Sequence, residues 1–268
     1  MEKKIFIGLL AATNEEYQSI YNYLKKNRID DTAVSFVNFI EYNKSNIGKI
    51  PFPYFIYSFE FFINDKKYMI NLITIKSGYG KLNAVSAITS LINIYKIDMI
   101  MNFGACGSLS KLQIGDFVIP KIIYESSYLS FVENKYNLKE DNKFLKYGKI
   151  FVGLNKVENI IHKEIIKKHN NVKEVKGCSQ EADIDSDEKK LFLHKFFNAE
   201  ICDWESFSIR KTAHLWKIPS LVFRVVSDYA NESFLIDYKK NLESILYKGV
   251  KFFLNEILPI ACKIYILN

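Results

Sequence analysis

One stretch, Ile201 to Asn231, constrains the fold of this chain more than any other: ICDWESFSIRKTAHLWKIPSLVFRVVSDYAN. It passes from an acidic pair, Asp203 and Glu205, through an amphipathic segment to a break at Pro219, and then into the apolar run Leu221 to Val226, which ends in Ser227-Asp228. That order predicts a helix, a buried strand and a polar residue at the strand's carboxyl end. In open α/β sheets ligands bind in the crevice outside the carboxyl ends of strands, so Asp228 falls where chemistry is usually done. Glu205 opens the preceding helix, and both carboxylates can reach one cleft.

The remaining segments fit the same α/β class. Lys4 to Leu10 reads as a buried first strand, and Ala11 to Asn14 as the turn into a helix that starts near Glu15. Thr13 and Glu16 have the spacing of a capping box, a sufficient structural role for that glutamate. From Asp30 to Pro53 periodicity is lost among Asn, Gly and Pro, which predicts a loop or irregular insertion. Tyr54 to Ile63 and Lys67 to Ile75 flank Asn64-Asp65 as a hairpin. The second strand leads into KSGYGK, Lys76 to Lys81, a glycine turn that lets backbone N–H groups approach a ligand. A helix over Leu82 to Ile94 and a buried strand over Ile97 to Phe103 follow. NFGACGSL, Asn102 to Leu109, then serves either close packing of turn on sheet or direct ligand contact. Beyond it come a short strand from Gly115 to Pro120, a polar loop from Lys121 to Lys146, a strand-like piece at Phe151 to Gly153 and a helix over Lys156 to His169. A long amphipathic helix over Leu235 to Leu254 covers the sheet. The length of 268 residues suits one large domain spanning 1–268.

Several classes are excluded. No apolar run reaches the ~18 residues needed to cross a bilayer, and IFIGLL is too short, and lacks the cleavage site, to be a signal peptide; a cytoplasmic protein is expected. Cys106, Cys178, Cys202 and Cys262 show neither metal-ligand nor disulfide spacing, and His162, His169, His194 and His214 form no ligand motif, so no metal site is expected. The formal charge of +7 comes from lysines spread along the chain, unlike the concentrated basic face of a nucleic-acid protein.

Glu205 before a helix, Arg224 in the next strand and Ser227-Asp228-Tyr229-Ala230 at its end resemble the C-terminal signature of the purine nucleoside phosphorylase and nucleosidase superfamily. The nearest branch is that of the methylthioadenosine/S-adenosylhomocysteine nucleosidases. IGLLAATNEE, KSGYGK and MNFGACGSLSKLQIGDFVIP agree with it in the same chain order. The resemblance implies a three-layer α/β/α sandwich around a central mixed sheet and hydrolysis of the N-glycosidic bond of adenosine-type nucleosides, without a cofactor. It also implies a homodimer in which the region after Pro120 closes the neighbouring subunit's pocket.

Site roles follow from that resemblance. Glu16 activates the attacking water and Arg224 orients both. Asp228, oriented by Ser227, protonates the purine at N7, and Glu205 accepts hydrogen bonds from the ribose hydroxyls. Ser77, with Gly78 in the same turn, faces the nucleophile side; backbone groups of Ile184 read the base edge; Trp204 packs against the ribose. Taken singly, Asp228 and Glu205 also suit helix capping and a structural ion pair with Arg224, an arginine that needs a buried carboxylate partner in either case.

Three departures stand out. Asn102 replaces the arginine that grips phosphate in the phosphorylases, and the turn Ala11 to Glu16 offers a carboxylate where they bind phosphate, which favours water as co-substrate. Asp183 falls where an aromatic residue stacks on the base. Trp204 falls where methionine is usual, and there it narrows the space for a 5′ group, supplies stacking, or fills the core. Two other readings remain: a phosphate-dependent phosphorylase using Lys76 or Lys81, and a non-catalytic nucleoside-binding protein on the same fold.

Overall fold

The computed structural model describes residues 3–27, 29, 34–42, 50–127 and 149–268. Its centre is β1 (Lys3–Ala11), whose residues alternate between two cores: Ile5, Ile7 and Leu9 face one, Phe6 and Leu10 the other. A strand buried on both faces needs helices on both sides, and this is what the chain supplies. On the first face lie α1 (Asn14–Lys26), α3 (Lys156–Lys168), α6 (Phe234–Phe252) and α7 (Leu258–Leu267). On the second lie α2 (Lys81–Tyr95) and α5 (Ser206–Leu215). The last two helices of the first face are joined by one π turn at Phe253–Ile257. The architecture is the expected α/β layering around a mixed sheet.

β1 runs parallel to β4 (Lys66–Lys76) on one side and β5 (Met99–Ser108) on the other, and β10 (Ser220–Asp228) runs parallel to β5. Ala11 therefore lies level with Lys76, and Asp228 level with Gly107. These carboxyl ends share one edge of the sheet. β6 (Phe117–Glu125), β8 (Val172–Ser179) and β9 (Ile201–Asp203) continue from β10 back to β5, so five strands close into a ring. Two-residue β7 (Phe151–Val152) pairs with β6. The strand-end acid Asp203 is thereby brought beside Asp228, although the two strands are not neighbours in the sheet.

The hairpin of β3 (Tyr54–Ile63) with β4 forms as expected; Asn64 and Asp65 take the left-handed conformation that matches a two-residue hairpin turn. Three expectations fail. The segment Asn102 to Leu109, read as a turn after its strand, instead continues β5 to Ser108, paired with β10 through Gly107. Residues 34–42 form an edge strand, β2 (Val34–Tyr42), antiparallel to β3, where a loop was predicted. A register shift between Phe36 and Asn38 breaks the period-two pattern, yet Phe36 packs on Tyr57 and Phe39 on Phe55, with ring centroids 5.1 and 5.0 Å apart. β6 likewise runs past Pro120 to Glu125, with a shift between Pro120 and Ile122 accommodating the proline. The rest of the predicted polar loop, from residue 128 onward, lies outside the described residues, and with it the expected subunit contact.

Among the described residues no helix is long and apolar enough to cross a membrane, and no cluster of side chains could hold a metal. The four cysteines are buried and none forms a disulfide among the described residues.

Candidate active site

The carboxyl ends of β1, β5, β9 and β10, with the start of α6, surround a cavity of about 260 Å³. Glu16 reaches it from the first turn of α1. The capping box is formed: the Glu16 N–H donates to Thr13 Oγ1 (3.1 Å), and Glu16 Oε2 accepts from the N–H groups of Ala12 (2.9 Å) and Thr13 (3.1 Å). Its other oxygen, Oε1, accepts from the Ala105 N–H at 2.8 Å. Capping and facing the cavity are thus one arrangement, not alternatives. A carboxylate has about four acceptor positions, so three backbone donors leave room for a further partner.

Glycines make this approach possible. A Cβ on Gly104 would stand 2.6 Å from Glu16 Oε1 and 2.8 Å from Arg224 Nη1, and one on Gly107 would stand 2.9 Å from Asp228 Oδ1. In NFGACGSL, then, the first glycine admits the Glu16 and Arg224 side chains, whereas the second lines the cavity directly.

Asp228 ends β10 and is oriented by its neighbours. Ser227 Oγ donates to its Oδ2 at 2.7 Å and the Ala230 N–H to its Oδ1 at 2.9 Å. Burial pushes the Asp228 carboxyl above its ordinary range, and these two bonds offset only part of the rise. Glu205 stands at the start of α5, but it does not cap that helix with its side chain. Instead its Oε1 accepts from the Gly80 N–H at 2.9 Å, at the amino end of α2, where the helix dipole favours an anion. Burial, reinforced by Asp203 and Glu16, raises the Glu205 carboxyl to about 8.

The sequence reading assigned no role to Asp203, which proves to be the partner of Arg224. Arg224 Nε donates to Asp203 Oδ2 at 3.0 Å, and Nη2 donates to Asn102 Oδ1 (2.5 Å) and Ser206 Oγ (2.9 Å). Asp203 also accepts from Ser179 Oγ at 2.6 Å, the Ser206 N–H at 3.0 Å and the Ser206 hydroxyl. Burial alone would raise this carboxyl; Arg224 and the serines hold it below its ordinary range. Arg224 thus flanks Glu16 across Gly104 while its ion pair is with Asp203, not with Asp228 or Glu205.

Of the other predicted residues, Ile184, Trp204 and Ser227 line the cavity. Trp204 meets Tyr79 edge to face at 6.3 Å between centroids, and both rings border the cavity. Ser77 and Gly78 do not line it. Their N–H groups bond to the carbonyls of Ala11 and Ala12, so they fasten the KSGYGK turn to the end of β1. Tyr79, Phe234, Leu235 and Tyr238 supply lining that the sequence reading missed. Tyr79 stands inside the quoted KSGYGK turn and could have been named from it; of the α6 residues Leu235 is exposed and Phe234 and Tyr238 are half-buried, so nothing in an amphipathic pattern sets them apart from core-facing positions. Among the described residues, five acids line the cavity (Glu16, Asp183, Asp203, Glu205 and Asp228) and no Lys, Arg or His does.

Known proteins resemble this chain over most of its length. A 5′-methylthioadenosine/S-adenosylhomocysteine nucleosidase of Buchnera aphidicola is 29% identical over 188 residues, covering 68% of this chain and 78% of the relative. One of Staphylococcus aureus is 27% identical over 247 residues, covering 88% and 92%. Among solved structures, a Helicobacter pylori 5′-methylthioadenosine/S-adenosyl homocysteine nucleosidase superposes with a TM-score of 0.69 at 22% identity, covering 96% of this chain and 99% of its own. A futalosine hydrolase of the same species gives 0.67 at 22%, covering 97% of each. These structures share the fold described above. The family match starts at residue 30, beyond Glu16, and takes in Arg224, Glu205 and Asp228. Matching the Phosphorylase superfamily over residues 30–251, the chain belongs to that superfamily.

Proposed function

We propose that the protein is a purine nucleoside N-ribohydrolase acting on adenosine-type nucleosides, with 5′-methylthioadenosine and S-adenosylhomocysteine as the first substrates to test. The names of its relatives support the reaction class. The observation that carries it is the charge of the cavity: five acids and, among the described residues, no basic side chain. Bound phosphate would be repelled there, whereas a water is a natural guest beside Glu16. Lys76 and Lys81 offer no phosphate site at the cavity: Lys81 Nζ is engaged by Glu125 at 2.5 Å, and Lys76 Nζ reaches Asn14 at 3.4 Å.

The chemistry balances with these groups. Water attacks C1′ while the C1′–N9 bond breaks and its electron pair passes to the purine. Asp228, whose raised carboxyl holds a proton more readily than a free aspartate, delivers it to N7 and makes the base a neutral leaving group. Glu16 accepts the proton lost by water. Glu205, only partly ionised near neutral pH in the unliganded cavity, receives hydrogen bonds from the ribose 2′ and 3′ hydroxyls, which favour its carboxylate form and so place negative charge below the oxocarbenium-like centre as it develops. Arg224, held by Asp203 and Asn102, keeps the Glu16 side of the cavity in register. The reading includes a cytoplasmic location and a homodimer; light scattering on purified protein tests the dimer.

The test is release of free base from methylthioadenosine, adenosylhomocysteine, adenosine and inosine, in phosphate-free buffer and again with phosphate. Turnover without phosphate is expected, with Asp228→Asn lowering it at least a hundredfold, within the range for a general acid. Turnover only with phosphate would refute the role of Glu16 as the base for water.

A further inference from the structure

The acid that departs most from the family pattern is Asp183. It lies in the connection between β8 and α4 (Asp187–Phe197), and the connection is held at both ends. At the near end the Gln180 N–H donates to the Asp203 carbonyl at 2.9 Å, and Gln180 Nε2 donates to the Ala182 carbonyl at 3.0 Å. At the far end Ile184 is buried with Cys202 and Ala230, and Ser186 caps α4. Asp183 is fixed between these anchors on the wall of the cavity.

Its carboxylate is not engaged. Lys189, the cation that acts on it, bonds to Asp185 at 2.5 Å, and Asp183 has no hydrogen-bond or ion-pair partner among the described residues. An acceptor held at a cavity wall without a donor is matched to a donor on the ligand. A carboxylate placed against the face of a purine meets the negative side of its quadrupole, whereas at the ring edge it meets N–H groups. Ile184, the next residue, packs beside Ala230, whose N–H holds Asp228. With Asp228 addressing N7, the donor adjacent on the ring is the amino group at C6.

We propose that Asp183 is a specificity residue that accepts a hydrogen bond from the 6-amino group of the base, so that the cavity selects 6-aminopurine nucleosides. This rests on the nucleosidase reading and names the base it takes. Trp204 lines the same cavity and remains available for the ring face, the role an aromatic residue at position 183 would otherwise fill. Because Asp183 keeps an exposed side, the bond is shared with water, and its effect is about tenfold rather than the thousands reached in a dry site.

The experiment compares kcat/KM for adenosine, purine riboside, which has no group at C6, and inosine, which has an oxygen there, in wild type, Asp183→Ala and Asp183→Asn. The wild type should favour adenosine over purine riboside by about tenfold. Asp183→Ala should bring that ratio to within threefold of one, with the loss falling on adenosine more than on purine riboside. Asp183→Asn, which can donate as well as accept, should gain on inosine relative to adenosine. Both substitutions lie at an exposed position, and melting temperatures within about 2 °C of wild type would establish folding. An adenosine preference that Asp183→Ala leaves unchanged overturns the proposal while the nucleosidase reading stands. Failure of the wild type to release base from every nucleoside overturns that reading itself.

Discussion

Glu205→Gln separates the electrostatic cost of this site from its packing. Glutamine preserves the shape of the side chain and an acceptor for the Gly80 N–H, but it does not titrate. In the folded protein burial raises the Glu205 carboxyl to about 8, against the ordinary 4.5 of an unfolded chain. Between those two values the folded state holds more protons than the unfolded state, so stability falls as pH rises through the interval. Below the unfolded value the group is protonated in both states and contributes nothing. Each pH unit of that interval corresponds to about 1.4 kcal/mol, which sets a ceiling of about 5 kcal/mol above pH 8. Water in the cavity screens the charge, and a penalty of about 2 kcal/mol is expected. The stability difference, variant minus wild type, should therefore be near zero at pH 4.5 and widen to about 2 kcal/mol by pH 8.5. For a chain of this size that is about 5 °C in melting temperature. Urea melts of both proteins at half-unit pH steps, without nucleoside, measure it, and taking the difference cancels the acids that are not coupled to Glu205, leaving its coupling to Asp203 and Glu16 in the measured gap. A gap that is flat with pH, or that narrows as pH rises, would refute the argument that desolvation controls Glu205.

Two further substitutions test the arginines. Arg224→Met leaves Asp203 buried without its cation and should cost about 3–5 kcal/mol in urea unfolding. Adding Asp203→Asn should recover part of that loss, and a double variant no more stable than the single one would deny the coupling. Arg210 on α5 is fully buried, and none of its three side-chain nitrogens finds a hydrogen-bond partner among the described residues. The nearby Glu158 is satisfied without it, accepting from His214 Nε2 and from the Ser220 N–H and hydroxyl. Arg210→Met should accordingly fall within about 1 kcal/mol of wild type or above it; a loss of 3 kcal/mol or more would mean that its charge sustains Glu158.

What the sequence disclosed divides along physical lines. Strands buried on both faces, such as residues 5–11 and 220–228, announce themselves as apolar runs because side chains on either face are covered. Strand-end acids are legible for the same reason: Asp228 is conspicuous after six apolar or arginine positions. Asp203 ends a strand of only three residues, too short for any periodic signal, and its role depends on a ring closure between strands distant in sequence. The demand for a partner was nevertheless readable from Arg224, since a guanidinium in an apolar strand is rarely buried without a carboxylate. β2 was missed because one extra residue in its ladder destroys strict alternation, although its phenylalanines still pack inward.

The means by which the acids are held also bears on what the cavity admits. A buried carboxylate is usually stabilised by a nearby lysine or arginine, but such a cation would also attract phosphate. Here Glu16 is held by three backbone N–H groups, Glu205 by the N–H of Gly80 and Asp228 by that of Ala230 with the hydroxyl of Ser227. Backbone dipoles stabilise the carboxylates without adding a formal positive charge to the cavity. The buried cation beside Glu16, Arg224, is occupied by Asp203 and Asn102 behind Gly104, and Lys190, the cation that acts on Asp228, is engaged by the Tyr229 carbonyl at 2.6 Å. Glycine at position 104 is what lets Arg224 sit near Glu16 without entering the cavity, so the local sequence NFGACGSL keeps the Arg224–Asp203 ion pair apart from the cavity-facing carboxylate of Glu16.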